Sequence, residues 1–115
     1  MEKYRVTIRN SDAEDKYTVS VHDDKEEKVL KYKENDGTST SFDYENNILR
    51  RDNDKMSVEF KFILGETTKS IMSVKELEGN LEMDLLTKEL SVTEDKIKVI
   101  YVINDLSFEY TLEKE

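Results

Sequence analysis

From Tyr4 to Leu112 the chain alternates apolar and polar residues in short runs, and Asn, Asp or Gly ends nearly every run. A strand turns successive side chains to opposite faces, so this period of two is what a half-buried antiparallel sheet requires. The alternation constrains the fold more tightly than any motif does. A chain of 115 residues makes one domain of it, with no room for a second core.

The runs can be followed in order. Tyr4, Val6 and Ile8 share one face against Arg5, Thr7 and Arg9, and Tyr17, Val19 and Val21 form a second inward row. A short third run, 29–33, precedes Asn35-Asp36-Gly37, where glycine supplies the positive φ of a tight hairpin at little steric cost. Thr38, Thr40, Phe42 and Tyr44 alternate against Ser39, Ser41 and Asp43, and Asn46-Asn47 turns the chain into a strand over 48–51. That strand has two registers, because either Ile48 with Arg50 or Leu49 with Arg51 satisfies the inward row. Met56, Val58, Phe60 and Phe62 give the clearest alternation.

Residues 67–77 carry a competing signal. Ile71, Met72, Val74 and Leu77, followed by Gly79, have the spacing of a short amphipathic helix with a glycine cap. Leu81, Met83 and Leu85 then restore period two, so the segment is assigned to strand and Gly79 to a bulge or sharp bend within the sheet. Ile97, Val99, Tyr101 and Ile103 end at Asn104-Asp105, which turns the chain toward Leu106, Phe108, Tyr110 and Leu112.

Eight to ten consecutive strands with short turns and no crossover helix predict an antiparallel meander. Open edges invite aggregation, and closing the sheet into a small barrel removes them. Closure places the strand of Tyr4 to Arg9 beside one from the C-terminal half. The lumen of such a barrel is filled by side chains or holds one small ligand. A two-sheet sandwich is the alternative.

Composition limits the partners. The net charge of -9 and pI near 4.7 oppose nucleic-acid and anionic-membrane surfaces, which select clustered Lys and Arg. Met1-Glu2-Lys3-Tyr4 runs straight into strand pattern without an apolar stretch, so no secretory signal is expected. No run approaches the roughly 20 apolar residues of a membrane helix. A chain without cysteine has no disulfide, thiolate nucleophile or cysteine zinc site, in keeping with a reducing cytoplasm.

Candidate chemistry is sparse. His22 is the single histidine and has no Gly-x-Ser-x-Gly or other nucleophile setting to serve, so it reads as a partly exposed strand-end residue beside Asp23 and Asp24. The acidic run with Glu26 and Glu27 lacks the spaced ligands of a calcium loop. Asp52-x-Asp54 fails similarly, with Ser57 in place of the required glycine. Glu59, Glu82, Asp84 and Glu109 read as an outer face, not an acid–base pair. No catalytic residue, metal or cofactor is expected. Arg50 and Arg51 have more to offer, because an arginine at the end of a short apolar strand can face a barrel mouth and grip a carboxylate or phosphate with two donors. The alternative is a surface ion pair with Asp52 or Asp54. Tyr32, Phe42, Phe60, Phe62, Tyr101 and Phe108 carry the inward aromatic mass, as core first and pocket lining second.

Three stretches, Phe62-x-x-Gly65, Leu77-Glu78-Gly79-Asn80-Leu81-x-Met83-x-x-x-Thr87 and Ile97-x-Val99-x-Tyr101-x-Ile103, resemble the YwiB-like family of uncharacterised bacterial proteins. Leu30-x-Tyr32-x-Glu34 and Arg50-Arg51 before Asp52 fit the same pattern. The segment before residue 28 is shorter than that family's usual opening, and Asp52 stands where glycine is common. The resemblance implies a lipocalin-like barrel from a bacterium of the Firmicutes type. It carries over no functional residues and no established activity. By analogy of fold, a small partly apolar or anionic ligand is expected in the lumen, with Tyr32, Phe42, Arg50, Arg51, Phe60, Tyr101 and Phe108 as candidate contacts. The alternative is an interaction module with a filled barrel that docks a protein, a second copy of the chain included.

Overall fold

The ten runs of alternation become ten strands among the described residues, which in this computed structural model are all of 1–115 except Glu78. They are β1 (Glu2–Asn10), β2 (Glu14–Asp24), β3 (Val29–Lys33), β4 (Ser39–Asp43), β5 (Ile48–Asp52), β6 (Met56–Lys61), β7 (Thr67–Val74), β8 (Asn80–Val92), β9 (Lys96–Ile103) and β10 (Leu106–Lys114). Each strand pairs antiparallel with the next, and β1 also pairs with β10, setting Val6 opposite Leu112 and Ile8 opposite Tyr110. The sheet is therefore a closed barrel without edges, and the sandwich alternative is excluded.

Residues 67–74 settle as strand β7, and 75–77 belong to the turn that follows it. Thr67 to Ser73 pair along β8, and Met56 to Glu59 pair with β7 on its other side. Ladders on both flanks outweigh a helical spacing that had no tertiary partner to reward it. Ser70 turns into the barrel while Ile71 stands on the outer surface. Gly79 departs from expectation: it lies in the β7–β8 connection with φ +99, where the chain reverses and glycine accepts the left-handed backbone. The irregularity within the sheet falls instead between Thr87 and Glu89, where β8 slips against β9.

Polar turns carry the remaining reversals. Asn47 has φ +57, and Asn104 and Asp105 have φ +52 and +64, the paired left-handed conformations of a two-residue hairpin turn. The core is the inward row of each strand. Val6, Phe42, Leu85, Val99 and Leu112 have no measurable exposure. Two aromatic groups fill much of the interior: Phe60, Phe62, Tyr101 and Phe108 pack with neighbouring ring centroids 5.3 to 6.4 Å apart, and Phe42 stacks on Tyr110 at 6.4 Å.

Candidate functional site

The barrel is concave at both ends. At the wide mouth a cavity of about 850 Å³ lies over an apolar floor of Tyr4, Val21, Leu30 and Ile97, all buried. Its rim is polar, built by His22, Asp23, Lys25 and Lys28 from the end of β2 and the β2–β3 turn, by Glu94 from the β8–β9 turn, and by Glu2 and Lys114 from β1 and β10. Tyr44 closes one side, its hydroxyl donating to Asp23 Oδ1 at 3.1 Å. The rim ammonium groups are partly engaged, Lys114 by Glu2 at 2.7 Å and Lys28 by Glu45 at 3.4 Å.

The floor is closed from below by alternation itself. Two residues further along β1, β2, β3, β9 and β10, and two before Tyr44, the next side chain is buried: Val6 after Tyr4, Val19 before Val21, Tyr32 after Leu30, Phe42 before Tyr44, Val99 after Ile97 and Leu112 before Lys114. The hydroxyl of Tyr32 in this layer meets that of Tyr110, two residues below Leu112 on β10, at 2.7 Å, satisfying two buried polar groups at once.

The narrow mouth, about 230 Å³, is lined by Ile8, Asp15, Tyr17, Glu34, Asn35, Asp36 and Arg51. Here the register of β5 is decisive. Leu49 is buried and Ile48 is not, so alternation turns Arg51 inward and Arg50 outward. Arg51 Nη2 donates to Glu34 Oε2 at 2.6 Å, and Tyr17 donates its hydroxyl to Glu34 Oε1, also at 2.6 Å. Arg51 Nε is buried and makes no hydrogen bond among the described residues, so Glu34 holds only one prong of the guanidinium fork. Arg50 lies on the outer face, where its cross-strand neighbour Glu59 accepts from Nε at 2.7 Å. Neither arginine takes the expected aspartates: Glu34 and Glu59 are nearer across the sheet, and Asp52 pairs with Lys75 at 3.0 Å.

Burial tunes the tyrosines around this cluster. Desolvation, reinforced by the bond to Glu34, raises the Tyr17 hydroxyl well above the usual tyrosine range. Desolvation also raises Tyr32, aided by its neighbour Tyr110, and pushes Tyr101 up to about 12 despite the Arg51 charge. These groups stay neutral and act as hydrogen-bonding and packing elements.

The candidate contacts are thus divided. Tyr32, Phe42, Phe60, Tyr101 and Phe108 fill the body of the barrel and line neither mouth, Arg51 lines the narrow mouth, and Arg50 faces outward. His22 is exposed, as expected of a strand end, and stands on the rim of the wide mouth. Sequence reading did not single out Glu34 as Arg51's partner, although the signal was present: Leu30, Tyr32 and Glu34 continue one inward row. Nor did it mark Tyr4, Val21, Leu30 and Ile97 as a floor, because alternation assigns a face and not a level along the barrel.

This architecture has a solved counterpart. The chain is similar to the crystal structure of the ywiB protein from Bacillus subtilis, with a TM-score of 0.60 and 17% identity, over 98% of this chain and 89% of that one. The two share a fold. The likeness to ywiB agrees with the resemblance carried by the strand-and-turn motifs. No protein-family model matches the chain, and no curated protein matches it.

Proposed function

We propose that this chain is a YwiB-like, lipocalin-like barrel of the bacterial cytoplasm, without enzymatic activity, that holds a small, partly apolar ligand in its wide mouth. The observation that carries this reading is the cavity of about 850 Å³ over a buried apolar floor. Ligand sites commonly span about 300 to 1,000 Å³ and combine apolar walls with a few polar groups. The floor supplies the walls, and His22, Lys25, Lys28 and Tyr44 supply the polar groups. Nucleic acids and anionic membranes are poor partners for a chain of net charge -9.

Native mass spectrometry of gently purified protein, with a thermal-shift screen of fatty acids, small carboxylates and phosphates, tests the reading. A bound small molecule or a raised melting temperature, lost in Leu30→Trp, supports it. A native protein that carries nothing and shifts with nothing argues against it.

A second reading is favoured by the packed interior and by the exposure of Leu64, Leu77, Leu81 and Leu106. In that case the barrel is a solid interaction module whose outer surface or end docks another protein, a homodimer being the simplest case. Sedimentation at increasing concentration separates the two, since self-association predicts a rising mass without any small ligand.

A further inference from the structure

The wide mouth is a blind cup. Below its floor the next inward residues, among them Val6, Tyr32 and Phe42, are buried, and the two mouths share no lining residue. The stop is also braced. Phe42 stacks on Tyr110 with an interplanar angle of 14°, and Tyr110 is tied to Tyr32 by the 2.7 Å hydroxyl contact. A ligand pressing deeper would have to part a buried hydrogen bond and displace a side chain with no measurable exposure.

Resting on the wide-mouth reading, we infer that the site selects amphiphiles by tail length, with Phe42 and the Tyr32–Tyr110 brace as the stop against which the tail ends. The apolar part of the ligand lies on Tyr4, Val21 and Leu30, and its polar end stays among the rim groups. Each methylene buried in the cup tightens binding by about fourfold. Once the tail reaches the stop, further carbons remain in water and add nothing.

Titration calorimetry with n-alkanols of increasing length tests this, since an uncharged head leaves the rim charges out of the comparison. The native chain is expected to bind about fourfold more tightly with each methylene up to a limiting length, and then to level off. In Phe42→Ala the plateau moves to a longer alkanol. Val6→Ala, which removes less volume from the same layer, shows a smaller shift and carries the test if Phe42→Ala fails to fold by circular dichroism. A climb that continues through the longest alkanol overturns the stop while leaving the wide mouth as a binding site. An unmoved plateau in folded variants also overturns it. If no alkanol binds the native chain, the wide-mouth reading falls with it.

Discussion

Arg51 and Glu34 form an ion pair inside the narrow mouth, 2.6 Å from Nη2 to Oε2, with the arginine side chain 28% exposed and the glutamate 6%. The pair links β5 to the residue that follows β3, two strands away over β4, and Tyr17 of β2 completes the carboxylate's coordination. Desolvation of two charges is costly, and the attraction repays it only when the remaining hydrogen-bonding capacity is used. Glu34 meets that condition better than Arg51, whose Nε has no acceptor among the described residues.

Breaking the pair from one side is therefore expected to cost more than replacing it. Arg51→Met leaves a buried carboxylate with one partner, and Glu34→Leu leaves a largely buried guanidinium without its carboxylate. Each is expected to destabilise by about 3 kcal/mol. The double variant is expected to recover most of that loss, because apolar side chains of similar volume need no partner. Urea denaturation of the four proteins measures the coupling. Additive losses in the double variant would show that the two residues act independently.

Arg50 supplies the contrast. Its bond to Glu59 is 2.7 Å against 2.6 Å for Arg51 to Glu34, but both side chains are about half exposed, at 49% and 45%. Exposed pairs are worth about 0 to 1 kcal/mol, so Arg50→Ala is expected to shift the denaturation midpoint only slightly, and less again at high salt. A loss matching that of Arg51→Met would contradict the assignment of the two side chains to opposite faces.

These two neighbours show where sequence is legible. Period two shows the strands and, through the cost of open edges, the pairing of β1 with a strand of the C-terminal half, which is β10. It could not choose between Ile48 and Leu49, because both are apolar and both precede an arginine by two positions. Only the packed interior decides that Leu49 fits. Glu34 was overlooked for a related reason: a carboxylate at an inward position is penalised unless a cation faces it, and that cation came from a strand still ambiguous in register. The mouths were beyond reach, since their depth depends on how the tilted strands stagger and not on which face each residue occupies.

The β9–β10 turn offers a gain in stability. Asn104 and Asp105 both hold positive φ, at 52° and 64°, and asparagine followed by glycine is the preferred pair for such a turn. Asp105 bears steric strain that glycine lacks, although glycine loses more entropy on folding. Asp105→Gly is expected to stabilise the protein by about 0.5 kcal/mol, seen as a higher melting temperature with unchanged strand content. A lower melting temperature would mean that the Asp105 side chain contributes more than its backbone strain costs.

Alkali is expected to unfold the barrel cooperatively. Burial raises Tyr17, Tyr32, Tyr101 and Tyr110, and Tyr101 is pushed from 10.0 to about 12. Below pH 10 these hydroxyls keep their protons in both folded and unfolded chains, so their ionisation does not affect the balance. Above it the unfolded chain releases protons that the folded chain retains, and stability must fall as pH rises. For Tyr101 alone, the window from pH 10 to about 12 corresponds to a loss on the order of 3 kcal/mol. Denaturant midpoints followed against pH, together with tyrosinate absorbance, provide the measurement. The expected result is a midpoint that is flat below pH 10 and then declines, with most tyrosinate appearing in the same step as loss of strand signal. Tyrosines that all titrate near their ordinary value while the barrel stays folded would show that the waist is open to hydroxide and water, and would undo the picture of a closed floor.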